Sequence, residues 1–429
     1  MIPLTARLKR VPVVAAANAR LKAWMVEQDA ARIRRRYSKL ARKSGIGVPE
    51  GEVLRDALRS RIGVRGTRLG WPRPRGGLHV FLAYSLCNWE AVLPRALAEF
   101  GEVSEFEFRS AGFDEASPGW LRERQAMNAA LLESFETANR RRPIDVVVGY
   151  FSGYTVDPTV LRRMAELGAV TTNFCFDDKV RWPGRVLGGR HTSTAAIADT
   201  VDLNLSSDPA AAARYFAHGG LCMFHPEAAD ERWYRPLEVP FEHDVSFVGA
   251  CFGWRPRLID GLRDRGIQVA CFGRGWPSGA VANEAMNGIY AHSRVSLGCG
   301  GIGYSRDLLC LKGRDFEVPM AGALYLTQDN PELSAVFDVG REILTYRGID
   351  DCASTIREVL ADPPRAARIR AAARARCLLD HTYRARWSGV FQKLGALAPS
   401  APARPWTDAA DTAGARTWAG GAVAAAAAD

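Results

Sequence analysis

The feature that most restricts the fold is a series of short apolar segments that alternate with amphipathic helical segments. The first set begins at Leu78 and the second at Val245. Strands that alternate with helices predict a parallel sheet covered on both faces. In the first set the predicted strands are Leu78–Tyr84, Val103–Phe108, Ile144–Tyr150, Ala169–Phe174 and Val201–Leu205. In the second set they are Val245–Gly249, Ile267–Phe272, Val295–Gly298, Ala323–Thr327 and Ile343–Tyr346. The sequence therefore predicts an α/β protein with two Rossmann-like domains, whose parallel sheets face a common cleft.

This alternation divides the chain into four predicted parts. Residues 1–77 form a basic helical extension and linker, 78–240 a first Rossmann-like domain, and 241–395 a second one. Residues 396–429 form an Ala-rich tail with few large apolar residues, which we expect to be disordered. Within the first part, Gly63–Gly77 is rich in Gly, Arg and Pro, a composition typical of a linker.

The net charge of +10 is concentrated near the N-terminus. Residues 1–75 contain 19 Lys and Arg against 5 Asp and Glu, whereas the remaining residues contain 38 against 42. The globular part is therefore close to neutral, which argues against a nucleic-acid-binding protein.

Residues 21–43 are predicted to form a helix with one apolar stripe and many basic residues on its other faces. The stripe comprises Val26, Ala30, Ile33, Tyr37 and Leu40. Such a helix could lie on an anionic membrane surface or against an acidic partner. It could equally be a solvated helix that docks on the domain by its stripe, and the pattern favours neither interpretation.

Cysteine usage and hydropathy favour a cytoplasmic protein. The nine cysteines are scattered singly, without a Cys-x-x-Cys pair, as buried free thiols in a reducing compartment would be. No segment approaches the roughly 18 apolar residues of a membrane span. We therefore expect a cytoplasmic protein, which the basic helix would in one interpretation hold at the inner face of the membrane.

The stretch Lys312–Thr327 is the strongest indication of a binding site. It places Glu317 on the first turn of a predicted helix, beside Lys312 and Arg314 and ahead of Gly322. A carboxylate there can accept hydrogen bonds from a ribose diol while the basic residues meet phosphate. A surface pair between Glu317 and Arg314, worth about 0.5 kcal/mol, is the alternative, but the apolar neighbours favour a buried carboxylate that needs a partner. The stretch therefore indicates a nucleotide-sugar site.

Three glycine-rich loops follow strands of the second set, and they are expected to meet at one rim of the sheet. One such loop is often only a tight turn, but three together favour a ligand site, since their backbone N–H groups and arginines can hold a diphosphate. The candidate residues in these loops are Gly249, Arg255, Arg274, Gly300 and Gly301.

A pair of carboxylates, Asp177 and Asp178, ends a strand of the first set and faces the predicted cleft. One of them could act as a general base on an acceptor hydroxyl, or bind the acceptor or a metal, whereas helix capping is the expected role of the other. The scheme requires no divalent metal, and a nucleotide sugar is the only co-substrate expected.

The second half of the chain resembles the CgeB/YkvP spore-protein type of glycosyltransferase, relatives of the family-4 enzymes with the GT-B fold. The resemblance rests on the segments Asp244–Gly249, Cys271–Trp276, Gly313–Gly322, Glu342–Arg347 and His381–Arg386. It implies a GT-B fold, a hexosyltransferase activity and a nucleotide-sugar donor held mainly by the second domain. It also implies that the last helix, near Trp387, crosses back toward the first domain.

One position departs from the family-4 pattern, in which two glutamates stand eight residues apart. Glu317 matches the second glutamate, which the resemblance expects to hold the ribose, but the first position is Leu309. The catalytic role of that first glutamate therefore does not carry over, and retaining or inverting stereochemistry stays open.

A non-catalytic GT-B coat or scaffold protein, which binds through the basic helix, is the alternative function. A sugar-nucleotide epimerase is less favoured, because no acid/base set for that reaction is found.

Overall fold

Two parallel sheets form the centre of the molecule, as the alternating pattern predicts. The computed structural model describes residues 12–44, 48–85, 91–180, 182–187 and 190–398. The first sheet has the strand order β2-β1-β3-β4-β7-β8 and the second has the order β10-β9-β11-β12-β13. The strands of the first half are β1 Leu78–Tyr84, β2 Gly101–Glu107, β3 Val146–Gly149, β4 Val170–Cys175, the hairpin strands β5 Val186–Leu187 and β6 Arg190–His191, β7 Leu203–Ser206 and β8 Cys222–Phe224. Those of the second half are β9 His243–Val248, β10 Ala270–Phe272, β11 Ser293–Leu297, β12 Tyr325–Gln328 and β13 Leu344–Tyr346.

Helices cover both faces of each sheet. In the N-terminal part they are α1 Pro12–Ser44, α2 Gly51–Arg68, α3 Leu93–Ala98, α4 Trp120–Arg141, α5 Pro158–Glu166 and α6 Ala212–Phe216. In the C-terminal part they are α7 Arg255–Arg263, α8 Asn283–Ala291, α9 Arg314–Met320, α10 Ile349–Ala361, α11 Pro363–Asp380 and α12 Tyr383–Leu394.

Strand β1 shows why the first sheet is covered on both faces. All seven of its residues are buried, because its sequence is almost continuously apolar. Val80 and Leu82 pack with α2, α3 and α12, whereas Phe81 and Ala83 pack with α4 and α5. Alternate residues of a strand point to opposite faces, so one apolar strand supplies two separate cores.

The segment predicted as a linker is instead packed against the first domain. Gly63 lies inside α2, a helix that the sequence pattern did not predict and that buries Leu54, Leu58 and Ile62 in the first core. Beyond α2, Trp71 Nε1 and Arg73 Nε each donate a hydrogen bond to the buried Asp145 carboxylate, at 2.8 and 2.9 Å. The prediction for Gly63–Gly77 is therefore wrong, because the arginine- and glycine-rich composition conceals a helix with a narrow buried face.

The last helix returns to the first domain, as the resemblance implies. Trp387 in α12 is buried and packs edge-on against Phe174 of β4, with ring centroids 5.9 Å apart. Its ring also lies 5.1 Å from that of His225, at the start of the segment that joins the sheets. Packing continues past the predicted start of the tail, since Ala396 and Leu397 are buried in the same core. Residues 399–429 of the predicted tail lie outside the described residues.

Helix α1 contacts both domains. At one point Tyr37 shares a hydrogen bond of 2.8 Å with His218 of the first domain. At another, Ser305 in the loop after β11 donates to the Glu27 carboxylate at 2.5 Å. The apolar stripe is partly docked, because Ala30, Ile33 and Tyr37 are buried whereas Leu40 is exposed. The described part of α1 thus supports the interpretation of a helix docked by its stripe.

None of the described helices combines the length and the apolar character needed to cross a membrane.

The position of Trp387 generates a stability prediction. Replacing Trp387 by Ala should lower the free energy of unfolding by about 3 kcal/mol, because it leaves a cavity where three segments meet. Chemical denaturation measures this loss. Leu379→Ala is the control, since Leu379 is exposed on α11, and it should change stability by less than about 0.5 kcal/mol. Equal effects of the two substitutions would contradict the assigned role of Trp387.

Candidate functional site

The candidate site lies at the carboxyl ends of the second sheet, where parallel strands leave their connecting loops. The loop after β9 leads into α7, and the loop after β11 leads toward α9. Gly249 begins the first of these loops with a φ of 153°, a value that glycine adopts without strain. The structure therefore brings the first residues of two helices, α7 and α9, to the same rim.

Two arginines converge on Gly249. A Cβ atom at this position would lie 3.3 Å from Nη1 of Arg314 and 3.4 Å from Nη1 of Arg255. Both guanidinium groups also lie over the Phe247 ring, at 6.0 and 5.8 Å from its centroid. Each arginine is the first residue of its helix, so the N–H groups of both helix ends accompany the two side chains.

The positive charges of Arg255 and Arg314 are only partly balanced by their surroundings. Burial and the neighbouring Arg314 lower the pKa of Arg255. Burial also opposes the charge of Arg314, but nearby tyrosines and the Glu317 and Asp315 carboxylates raise the pKa of Arg314 overall. The Nε of Arg314 is buried and has no hydrogen-bond partner among the described residues. Two adjacent cations with an unused donor form a site that favours an anion.

Glu317 lies in the first turn of α9 and is partly buried. Burial raises its pKa, whereas Arg314 and the hydroxyl groups of Tyr234 and Tyr290 act in the opposite direction. Because these tyrosines and Arg314 surround it, the Glu317 carboxyl group is not the surface half of a simple helix pair.

Asp315, two residues before Glu317, fixes the start of the same helix. Its carboxylate accepts a hydrogen bond from the Lys312 amide at 2.8 Å and another from the Tyr325 hydroxyl at 2.9 Å. The sequence pattern did not single out Asp315, whose role is to hold Arg314 and Glu317 in place.

A further carboxyl group, that of Glu227, was also missed. A Cβ at Gly313 would lie 2.8 Å from Oε2 of Glu227 and 3.1 Å from Oε1 of Glu317, so the two carboxyl groups lie close together. Burial, and next the negative charge of Glu317, raise the pKa of Glu227 to about 8. Glu227 stands in a Pro-containing connection with no strand or helix pattern, so nothing in the local sequence marks it.

The remaining predicted donor ligands occupy different positions. Arg274 is exposed, and it meets the Gly249 loop through its backbone carbonyl, which accepts from the Cys251 amide at 2.8 Å. Gly300 and Gly301 are buried by loop packing, since a Cβ at Gly301 would lie 2.4 Å from the Ser305 carbonyl oxygen. Their described contacts are therefore structural. Lys312 is partly buried, and its charge lowers the pKa of Glu227.

Leu309, which replaces the first family-4 glutamate, lies at a contact between the two domains. Lys179, just after Asp178 in the first domain, donates to the Leu309 carbonyl oxygen at 2.6 Å. The same ammonium group forms an ion pair with Glu332. The backbone of this position is thus used to join the domains.

Asp177 and Asp178 have different environments. Asp177 is exposed at the end of β4 and lies near enough to Glu227 to contribute to its raised pKa. Asp178 is buried; it accepts from Ser206 at 2.8 Å and from the Tyr215 hydroxyl at 2.7 Å, and pairs with Arg214 at 2.8 Å. Asp178 is therefore part of a buried network, and the prediction that it contacts a substrate is corrected because these partners enclose it.

Comparison with known proteins bears on the fold of the chain and on its C-terminal half. Residues 255–392, about a third of the chain, match the family described as glycosyl transferase-like. The structure is similar to sucrose-phosphate synthase (tll1590) from Thermosynechococcus elongatus, with a TM-score of 0.52 and 13% identity over 73% of this chain and 98% of that one. It is similarly close to a glycosyltransferase from Rickettsia africae, with a TM-score of 0.52 and 7% identity over 74% and 98% of the two chains. No curated protein matches the sequence.

These similarities establish the architecture. The chain has the GT-B fold, with two Rossmann-like domains, and the predicted fold class is confirmed. Assignment to the narrower CgeB/YkvP type stays a prediction.

The contrast between the two aspartates can be measured. Asp178→Asn should lower the free energy of unfolding by about 3 kcal/mol, because it breaks a buried ion pair. Asp177→Asn is the matched control and should change it by less than about 0.5 kcal/mol, since the side chain is exposed. Chemical denaturation of both variants provides the comparison, and a larger loss for Asp177→Asn would refute the assignment.

Proposed function

We propose that the protein is a glycosyltransferase that binds a nucleotide-sugar donor at the rim of the second sheet and transfers the sugar to an acceptor from the first-domain side. The observation that carries the proposal is the pair Arg255 and Arg314, which meets at Gly249 with an unused, buried Nε donor. Two adjacent guanidinium groups beside the N-terminus of α7 match the charge and geometry of a diphosphate. The glycosyl transferase-like domain contains both residues.

The proposed roles follow from position. Arg255 and Arg314 bind the diphosphate and stabilise the negative charge that develops on it as the sugar departs. Glu317 holds the ribose, and Lys312 adds positive charge at the same edge. Asp177, exposed at the end of β4, is the candidate general base toward an acceptor hydroxyl. We place the reaction in the cytoplasm, where the eight free cysteines of the described residues stay reduced.

Nucleotide binding tests this proposal. A panel of UDP, GDP and ADP should include at least one nucleotide that raises the melting temperature of the full chain. Arg255→Ala should weaken binding of that nucleotide at least about tenfold, because a charge-assisted hydrogen bond contributes about 1.5–3 kcal/mol. Calorimetric titration gives the dissociation constant.

Arg257→Ala is the matched control, because Arg257 is an exposed arginine on the same helix. It should alter the dissociation constant by less than about twofold. If no nucleoside diphosphate binds, the glycosyltransferase proposal fails and the non-catalytic scaffold function replaces it.

We also propose that the outer face of α1 contacts an anionic membrane surface. Leu21, Trp24 and Met25 are each more than half exposed although they are apolar. Farther along the helix, Arg35 and Lys39 are exposed, so an apolar patch is followed by a basic one. This face differs from the stripe that is docked on the protein, and its combination of residues is typical of interfacial helices.

Vesicle sedimentation tests this surface. The double variant Arg35→Glu, Lys39→Glu should bind vesicles rich in phosphatidylserine roughly 30-fold more weakly than the natural chain, since each basic residue near the surface contributes about 1 kcal/mol. The double variant Arg122→Glu, Arg368→Glu makes the same change in net charge at exposed positions of α4 and α11 and should bind normally. If the natural chain does not bind anionic vesicles, the membrane proposal is refuted and an acidic protein becomes the alternative partner.

A further inference from the structure

A cavity of about 150 Å³ lies between the domains, beside the proposed donor site. Its walls include Glu227, Trp233 and Tyr234 from the connecting segment, Asn283 from α8, Glu317 from α9 and Tyr383 from α12. An apolar cavity of similar volume holds one benzene ring, so this space suits a single sugar ring and is too small for a whole nucleotide. Its lining combines aromatic rings and an amide with three carboxyl groups. One of these, Asp230, is already paired with Arg95 and Arg232, which leaves Glu227 and Glu317.

The carboxyl groups of Glu227 and Glu317 are positioned to share one ligand. Oε2 of Glu227 and Oε1 of Glu317 both lie within 3.1 Å of the point that a Cβ on Gly313 would occupy. Among the described residues, none forms a hydrogen bond with the Glu227 side chain. The backbone carbonyl oxygen of Glu227 accepts a hydrogen bond from Arg386 Nε at 3.4 Å. The Glu227 carboxyl group is only partly buried and lines the cavity. A hydroxyl-bearing ligand in the cavity would therefore be within its reach.

We propose that Glu227 and Glu317 together bind neighbouring hydroxyl groups on a sugar ring of the nucleotide-sugar donor. This inference rests on the proposed function. It adds Glu227, from the segment that connects the domains, to the residues that bind the donor. In this arrangement Glu317 accepts a hydrogen bond from one hydroxyl group, and Glu227 donates one to the neighbouring hydroxyl.

The charges around Glu227 support this division of roles. Glu317, Asp315 and Asp177 face it with negative charge, whereas Lys312 is the positive group that opposes them. With a pKa of about 8, Glu227 carries its proton at neutral pH and loses it as the pH rises through that value. Ionised Glu227 would place a second negative charge beside Glu317, so donor binding should weaken on the alkaline side.

The test is the pH dependence of UDP-glucose binding by the full chain, a ligand whose diphosphate carries the same charge across the range. Between about pH 6.5 and pH 9 the natural chain should lose roughly tenfold in affinity, because only about a tenth of Glu227 remains protonated at the higher pH. Glu227→Gln keeps a hydrogen-bond donor that does not titrate, so this variant should retain affinity at both pH values. Glu231→Gln, in the same connecting segment but outside the cavity lining, is the control and should show the tenfold loss.

The outcomes separate the two proposals. If the natural chain binds UDP-glucose and Glu227→Gln retains the alkaline loss, the role of Glu227 is refuted while the donor site stands. If no nucleotide of the panel binds the natural chain, the proposed function itself fails. Repeating the titration with the 2′-deoxyribose form of UDP-glucose identifies the ring: a pH dependence that disappears assigns the hydroxyls to ribose, and one that persists assigns them to the transferred glucose.

Discussion

Burial of Trp387 in the first core attaches the last helix to the first domain. The polypeptide crosses between the sheets twice, first through the segment that joins β8 to β9 and then through α12. Trp387 packs at this crossing against Phe174 of the first sheet and against His225 at the start of the connection. One aromatic side chain thus packs against the first sheet and against the start of the connection, and it holds both crossings on the first domain.

In the candidate site, two arginine side chains lie close together at Gly249. Arg255 and Arg314 repel one another, and the buried Nε of Arg314 lacks an acceptor among the described residues. An unpaired buried donor costs roughly 1–3 kcal/mol. The Asp315 carboxylate supports this arrangement at the start of α9, because it accepts hydrogen bonds from the Lys312 amide and the Tyr325 hydroxyl. An anion bound there, such as the proposed donor diphosphate, would reduce the repulsion and accept a hydrogen bond from the unpaired donor.

The sequence predicted the elements whose side chains follow a clear period, and it missed those without one. Buried parallel strands such as β1 are continuously apolar, so their positions could be read directly. Helix α2 was missed because its arginines and Gly63 give it the composition of a linker, and because its buried face is too narrow to produce a clear apolar period. In the site, Glu317 and the arginines were predictable from their motif. Glu227 was not, because its neighbours Gly313 and Asp177 are far away in sequence, and only the fold brings these residues together.

Helix α1 has a mechanical consequence for a protein with this architecture. It is a rigid rod about 50 Å long, since each helical residue adds 1.5 Å, and it touches one domain through Tyr37 and the other through Glu27. Two bodies attached to one stiff rod cannot rotate apart unless one attachment yields. The Glu27 attachment ends on Ser305, in the loop that follows β11 at the proposed ligand-binding rim. Domain opening and the conformation of that loop are thereby linked through a segment that lies outside both sheets.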